Sequence, residues 1–217
     1  MRFRKATFNF SIHDSQRSIL LRAPVLYESG DEVDEVYFPL SGMISLLVVM
    51  RDGKAIETAT VGREGVVGAM SSLGLHTSKV RAIAQLPMHA SRLLASQLRT
   101  AAVSSKPIVE LCIRYNEVLL DHARITAACN ALHHAEARFC RWLLQARDRA
   151  ESNTILLTQE FLSEMLGVRR TSVTDVASKM QAVGAISYSR GVIKVIDLGK
   201  LRNMSCECYE TLRKNTG

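Results

Sequence analysis

The sequence predicts an α+β chain: an N-terminal antiparallel β-roll, one long helix, and a C-terminal winged helix-turn-helix. Three observations predict it. Short apolar runs punctuated by glycine fill the first ninety residues, a heptad repeat runs between residues 104 and 134, and a helix–glycine–helix–hairpin pattern follows residue 157.

From about Ile19 to Met88 the apolar runs are rich in Val, Ile and Leu and are broken at Gly30, Gly42, Gly53, Gly62, Gly65, Gly68 and Gly74. Turns spaced roughly 8–12 residues apart mark an antiparallel roll or barrel. Val36–Phe38, Ile44–Met50 and Ile56–Val61 read as successive strands, and the unit is bounded at 1–103. Such a roll can hold a small ligand inside.

From Ser104 to Leu132 the period changes to that of a helix. Ile108, Tyr115, His122 and Cys129 share one heptad position, and Leu111, Val118, Ile125 and Leu132 share the other. A sustained 3-4 spacing predicts a coiled-coil dimer seam over 104–134. The chain breaks at His133–Glu136, resumes as a helix from Ala135 to Ala146, and passes through the polar stretch Arg147–Asn153 into the last unit, 135–217.

In that unit Thr158 is placed to cap a helix whose Phe161, Leu162, Met165 and Leu166 recur at helical spacing. Gly167 ends this helix, since the residue after a helix commonly adopts the left-handed conformation. The next helix starts near Arg169 and turns Val173, Val176, Ala177 and Met180 inward, which leaves Arg169, Arg170, Thr171, Ser172, Thr174 and Asp175 on its other faces. Gly184 closes it, and Ile186–Tyr188 and Val192–Ile196 flank Ser189-Arg190-Gly191 as a hairpin wing. Between Val168 and Lys194 stand five basic residues against the single acid Asp175, a field suited to a phosphate backbone. Double-stranded DNA is the partner this predicts.

The chain has 217 residues, 47% of them hydrophobic, and a net charge of +7 spread evenly along its length. Its N-terminus lacks the apolar core and cleavage site of a signal peptide, and no uninterrupted apolar run is long enough to span a bilayer, so a cytoplasmic protein without a membrane partner is expected. The five cysteines suggest reduced thiols. Cys206 and Cys208 stand without a neighbouring His or further Cys in sequence, and His133 and His134 would point about 100° apart on a helix, so neither pair reads as a metal site. No metal and no cofactor are predicted. The roll contains no His-x-His, which argues against cupin-type metal catalysis and against an enzyme. A regulatory module that does not touch DNA remains the alternative.

The order of parts, with LSGMISLL (40–47), VGREGVVG (61–68) and LTQEFLSEMLGVRRTSVTDVASKMQ (157–181), resembles the Crp/Fnr superfamily of bacterial transcription regulators. The resemblance implies a homodimer on a palindromic operator, RNA polymerase as a further partner, Arg170 as the base-reading arginine with Arg169, Thr171 and Ser172 nearby, and Thr158 on phosphate; Gln159 and the basic Arg190 and Lys194 of the wing complete the expected DNA contacts. It places an effector pocket at Gly68, Ala69, His76, Thr77, Arg81, Ala123 and Arg124. Family members that bind cyclic nucleotides carry Gly-Glu where this chain has Gly68-Ala69, and an Arg followed by Ser or Thr where it has His76-Thr77. The charge-assisted bonds that such pairs give to ribose and phosphate are therefore missing at the matched positions, with Arg81 able to replace the phosphate arginine if the loop is shifted. The N-terminal cysteine cluster of the iron–sulfur members is also missing, since no Cys precedes Cys112. A cyclic-nucleotide-responsive activator is the alternative this leaves open.

Overall fold

A computed structural model describes residues 17–20 and 25–215. The N-terminal stretch read for a signal peptide lies mostly outside the described residues.

The N-terminal half folds as two antiparallel sheets. One orders β1 (Arg17–Leu20), β7 (Met88–Leu94) and β3 (Glu35–Ser41); the other orders β2 (Val25–Tyr27), β6 (Arg81–Ala84), β4 (Ile44–Val49) and β5 (Ala55–Val61). The three predicted strands are β3, β4 and β5. Gly42 turns β3 into β4 at φ 78°, where an added Cβ would stand 2.5 Å from the Pro87 carbonyl oxygen, so only glycine fits there. A short helix α1 (Ala69–Leu73) interrupts the roll, and α2 (Ala95–Ser104) closes it. Ser104 therefore belongs to α2.

The long helix α3 runs from Lys106 to Leu132, with Pro in its first turn, where its missing N–H costs nothing. It breaks at His133, and α4 (Ala135–Ala150) follows. The winged helix-turn-helix consists of β8 (Thr154–Leu156), α5 (Gln159–Leu166), α6 (Arg170–Ala182), β9 (Ile186–Ser189) and β10 (Val192–Val195), and α7 (Leu198–Met204) and α8 (Cys208–Asn215) complete the chain. Because α4 extends to Ala150, the polar link expected at Arg147–Asn153 shrinks to three residues.

The heptad reading of α3 needs correction. Ile108, Tyr115, His122 and Cys129 are all buried inside their own chain, so this row does not form a free seam. Ile108 and Tyr115 join the core of the roll, and Cys129 packs with Cys206 and Cys208. The second row differs: Leu111, Val118 and Ile125 are only partly buried, Val118 against the roll and Ile125 against the cysteines, and Leu132 is well exposed. A 3-4 period marks an apolar stripe but does not say what covers it. Here the cover is the roll and the C-terminal helices. The tightest point is Gly65, where a Cβ would stand 1.7 Å from the Tyr115 hydroxyl oxygen.

The two halves meet along β5, which packs against α5 and receives polar contacts from α4. Trp142 donates its indole N–H to the buried Glu57 carboxylate on β5 at 2.9 Å, and Ser45 donates to the other Glu57 oxygen at 2.6 Å. Arg149 pairs with Glu64 at 2.9 Å, both side chains nearly enclosed, and donates to the Thr60 carbonyl. Burial works to raise the Glu64 carboxyl, but the Arg149 charge and the Gly62 N–H outweigh it and hold it below the usual range.

Burial pushes the Glu57 carboxyl from about 4.5 up to about 7, against the pull of Ser45 and Arg141. Between those values the folded chain holds a proton that the unfolded chain has released. The stability this group contributes is thus complete below about 4.5 and is lost as pH rises through about 7. Glu57→Gln keeps an acceptor for Trp142 and should remove roughly 3 kcal/mol of stability change across that window. Urea unfolding at stepped pH measures it, and an unaltered pH slope in the variant would contradict a protonated Glu57.

Candidate nucleic-acid interface and effector cavity

The helix-turn-helix is held by local signals. Thr158 Oγ1 accepts from the Phe161 N–H at 3.3 Å, capping α5 while its own O–H stays available to a ligand. Gly167 ends α5 at φ 61°, and its N–H donates back to carbonyls of the last turn, as a left-handed cap does. Helix α6 buries Val173, Val176, Ala177 and Met180 and starts at Arg170, with Arg169 as its N-cap.

The predicted interface residues come to one side of this frame. Arg169, Arg170, Thr171, Thr174 and Asp175 are exposed on or beside α6, and Ser172 and Gln159 are half-buried. Arg170 Nε donates to Gln159 Oε1 at 3.4 Å, which ties the start of α6 to α5. The wing turns through Arg190 (φ 48°) and Gly191 (φ 78°), the two left-handed residues of a tight hairpin, and so raises Arg190 to the tip. The Leu157 N–H donates to the Gly191 carbonyl at 2.7 Å and fixes the wing against the start of α5. Among the described residues Arg169, Arg190 and Lys194 make no ion pair. Lys179, counted in the positive field by sequence, is paired with Glu136.

A cavity of about 190 Å³ lies between the roll and α3, lined on the roll by Val67, Gly68 and Ala69 and on α3 by Tyr115, Asn116 and Leu119. Of the expected pocket residues, Gly68 and Ala69 line it. His76, Thr77, Arg81, Ala123 and Arg124 do not. Arg81 is turned to Glu28 at 2.8 Å, His76 stands beside Arg99, and Ala123-Arg124 lie further along α3 than the residues that reach the cavity. Lys79 is the one charged residue in its lining. Sequence comparison missed the α3 residues: Tyr115 was assigned to a dimer seam, and Asn116 and Leu119 were not singled out.

His122 is buried on α3. Burial, with the Arg149 and Arg141 charges, holds it down to about 3, so it stays neutral. The fold gives Cys206 and Cys208 the neighbours they lack in sequence. Cys129, His133, Cys206 and Cys208 converge, with one donor atom from each lying within 4.8 Å of all the others. Sequence reasoning missed this cluster because its two halves are 77 residues apart.

The sequence matches the family model of the cyclic nucleotide-binding domain over residues 20–104 and that of the Crp-like helix-turn-helix domain over residues 137–204. The chain belongs to the Crp/Fnr superfamily. It is a Crp/Fnr-type transcription regulator with a helix-turn-helix DNA-binding domain and a cyclic-nucleotide-binding-like domain. Solved structures of similar fold include FixK2 from Bradyrhizobium japonicum, at 17% identity over 88% of this chain and 98% of that one with a TM-score of 0.74. A CRP-family transcriptional regulator from Thermus thermophilus is 18% identical over 87% of this chain and 96% of its own, with a TM-score of 0.72. The c-di-GMP-responsive global regulator CLP of Xanthomonas campestris is 17% identical over 84% and 94%, with a TM-score of 0.67. No curated protein sequence matches significantly. Among the described residues, no helix of this Crp/Fnr member is long and apolar enough to cross a membrane.

With Ala69 in the cavity wall and Arg81 held by Glu28, a cyclic phosphate meets Lys79 as the one cationic side chain there. Calorimetry with cyclic AMP and cyclic GMP at low salt should show no saturable micromolar binding. A one-to-one isotherm in that range, lost on Ala69→Trp, would overturn this expectation.

Proposed function

We propose that this regulator binds a specific double-stranded DNA sequence as a homodimer. The α6 helices of the two copies would enter adjacent major grooves of a palindromic operator about one helical turn apart. The observation that carries the reading is the joint presentation of Arg169, Arg170, Thr171 and Thr174 on one helix with unpaired Arg190 and Lys194 on the wing beside it. Arg170 reads guanine through two bonds, Thr158 donates to phosphate, and Gln159, Ser172 and Asp175 complete the contacts. The wing cations hold backbone.

In this reading residues 1–103 sense an effector in the cavity, 104–134 dimerise, and 135–217 bind DNA. RNA polymerase is a further partner, the site of action is the cytoplasm, and the chain performs no catalytic step. The second copy packs on the α3 face left open by the fold, where Ile113, Leu120 and Ala127 are exposed seven residues apart, with Glu117 and Arg124 between them. That is a heptad row with charges placed to pair across it.

Arg170→Ala should cost roughly 1–3 kcal/mol of operator binding and relax discrimination at one base pair. Lys194→Ala should weaken all sequences alike and reduce the salt slope by about 1. Mobility shifts on the selected operator and on scrambled DNA separate the two. An equal loss on both DNAs for Arg170→Ala would remove α6 as the reading element.

Leu120→Glu places two like charges across the proposed seam and should weaken dimerisation at least ~10-fold, about 1.4 kcal/mol, with the roll still folded. Sedimentation equilibrium measures it. A variant dimer as tight as the parent would place the interface elsewhere.

A further inference from the structure

We propose that Cys129, His133, Cys206 and Cys208 bind a single zinc ion that pins the end of the long helix to the C-terminal helices. The donors come from two places in the fold. Cys129 and His133 are four residues apart at the end of α3, where the His133 N–H donates to the Cys129 carbonyl and the helix stops. Cys206 and Cys208 flank one residue between α7 and α8, the latter at the first position of α8.

The spacing is that of one tetrahedral ion. Zinc with sulfur at about 2.3 Å and nitrogen at about 2.0–2.1 Å sets its donors about 3.5–3.8 Å apart. Cys129 Sγ lies 3.5 Å from Cys206 Sγ, Cys208 Sγ lies 3.7 Å from His133 Nδ1, and no pair of the four exceeds 4.8 Å. A multi-iron cluster distributes its cysteines over several iron atoms and needs a wider cage. Three thiolates and one imidazole are also the donor set of closed structural zinc sites.

The surroundings agree. All three thiols are buried, yet they lie apart from both large hydrophobic cores, with only Ile125 and Ala137 packed on them. Three sulfurs with so little apolar mass make a poor core and a good metal cage. While His133 Nδ1 faces the sulfurs, its Nε2 is 3.2 Å from Glu207 Oε1. That is the carboxylate–histidine arrangement which fixes the ring and its tautomer in metal sites. Ligation replaces the thiol protons with one cation, leaving a net −1 unit beside Arg138 and Arg141, whose charges act on Cys129 and Cys206.

The full chain, purified without chelator under reducing conditions, should carry one zinc per polypeptide by elemental analysis. Exchange with cobalt(II) should give the intense visible bands and sulfur charge transfer of a tetrahedral thiolate site. Cys112→Ser with Cys140→Ser, both outside the cluster, should leave the bands unchanged, whereas Cys129→Ser with Cys208→Ser should abolish them. Because that second pair can disturb folding, Glu207→Gln provides a surface variant. It should keep the circular dichroism and the cobalt spectrum while lowering zinc affinity ~10–100-fold. Removing zinc from the parent should lower its melting temperature, and adding zinc back should restore it. Three results would overturn the proposal: free thiols that bind no zinc or cobalt, a Cys129–Cys206 disulfide in the metal-free protein, or the absorption of an iron–sulfur cluster.

Discussion

Every residue of α4 from Arg138 to Ala146 is buried, and the rest of the structure is arranged around that constraint. A helix with no solvent face must pair its polar side chains with protein. Trp142 finds Glu57 and Arg149 finds Glu64, both on the roll, while Arg141 reaches Gln145 on α4 itself and Arg138 reaches the Leu166 carbonyl at the end of α5. Three of these four contacts join α4 to a different element. Buried polar groups are costly when unpaired, so the orientation of the roll to the DNA-binding unit is specified by partners as well as by shape. Removing one member of such a set costs more than the pair contributes, because the survivor remains buried.

The two helices and the hairpin of the winged helix-turn-helix were legible in the sequence because their determinants are local, whereas β8, whose partner β10 lies some forty residues on, was not. A cap at Thr158, a left-handed Gly167 and a two-residue turn at Arg190-Gly191 each act within a few residues. Three strands of the roll, β3, β4 and β5, were legible for the same reason, through their turns, whereas β1, β2, β6 and β7 were not marked individually. The all-round burial of α4 was not. Nothing near Trp142 and Arg149 in sequence shows what they meet, because their partners Glu57 and Glu64 stand eighty-five residues earlier.

The long helix shows the complementary failure. Its two apolar rows were visible, but periodicity reports a stripe and not its cover. The roll and α8 cover the rows, and the face left open carries Ile113 and Leu120. The expected effector pocket shifted for a related reason: matching by position put Arg81 and Ala123-Arg124 at the ligand, while the register of α3 on the roll brings Tyr115 and Asn116 there. The cysteine cluster was invisible by separation alone, because Cys206 and Cys208 make a metal site only once α8 has docked beside Cys129 and His133.

These placements give α3 two different ends. Its first half closes the cavity through Tyr115, with Gly65 in contact and no slack between them, so a ligand that moves the roll wall must move the helix. A helix of 27 residues is about 40 Å long and behaves as a rod, so a small tilt at the cavity becomes a larger displacement at His133. There Cys206 and Cys208, at the joint of α7 and α8, lie against Cys129 and His133, and Arg138, just past the break, is bonded to the last carbonyl of α5, next to the turn between α5 and α6. The break at His133 would let that motion dissipate. A cross-link through Cys129 and His133 to the C-terminal helices makes the joint stiff, and stiffness at that joint is what an effector bound near Tyr115 requires if it is to change the spacing of two recognition helices.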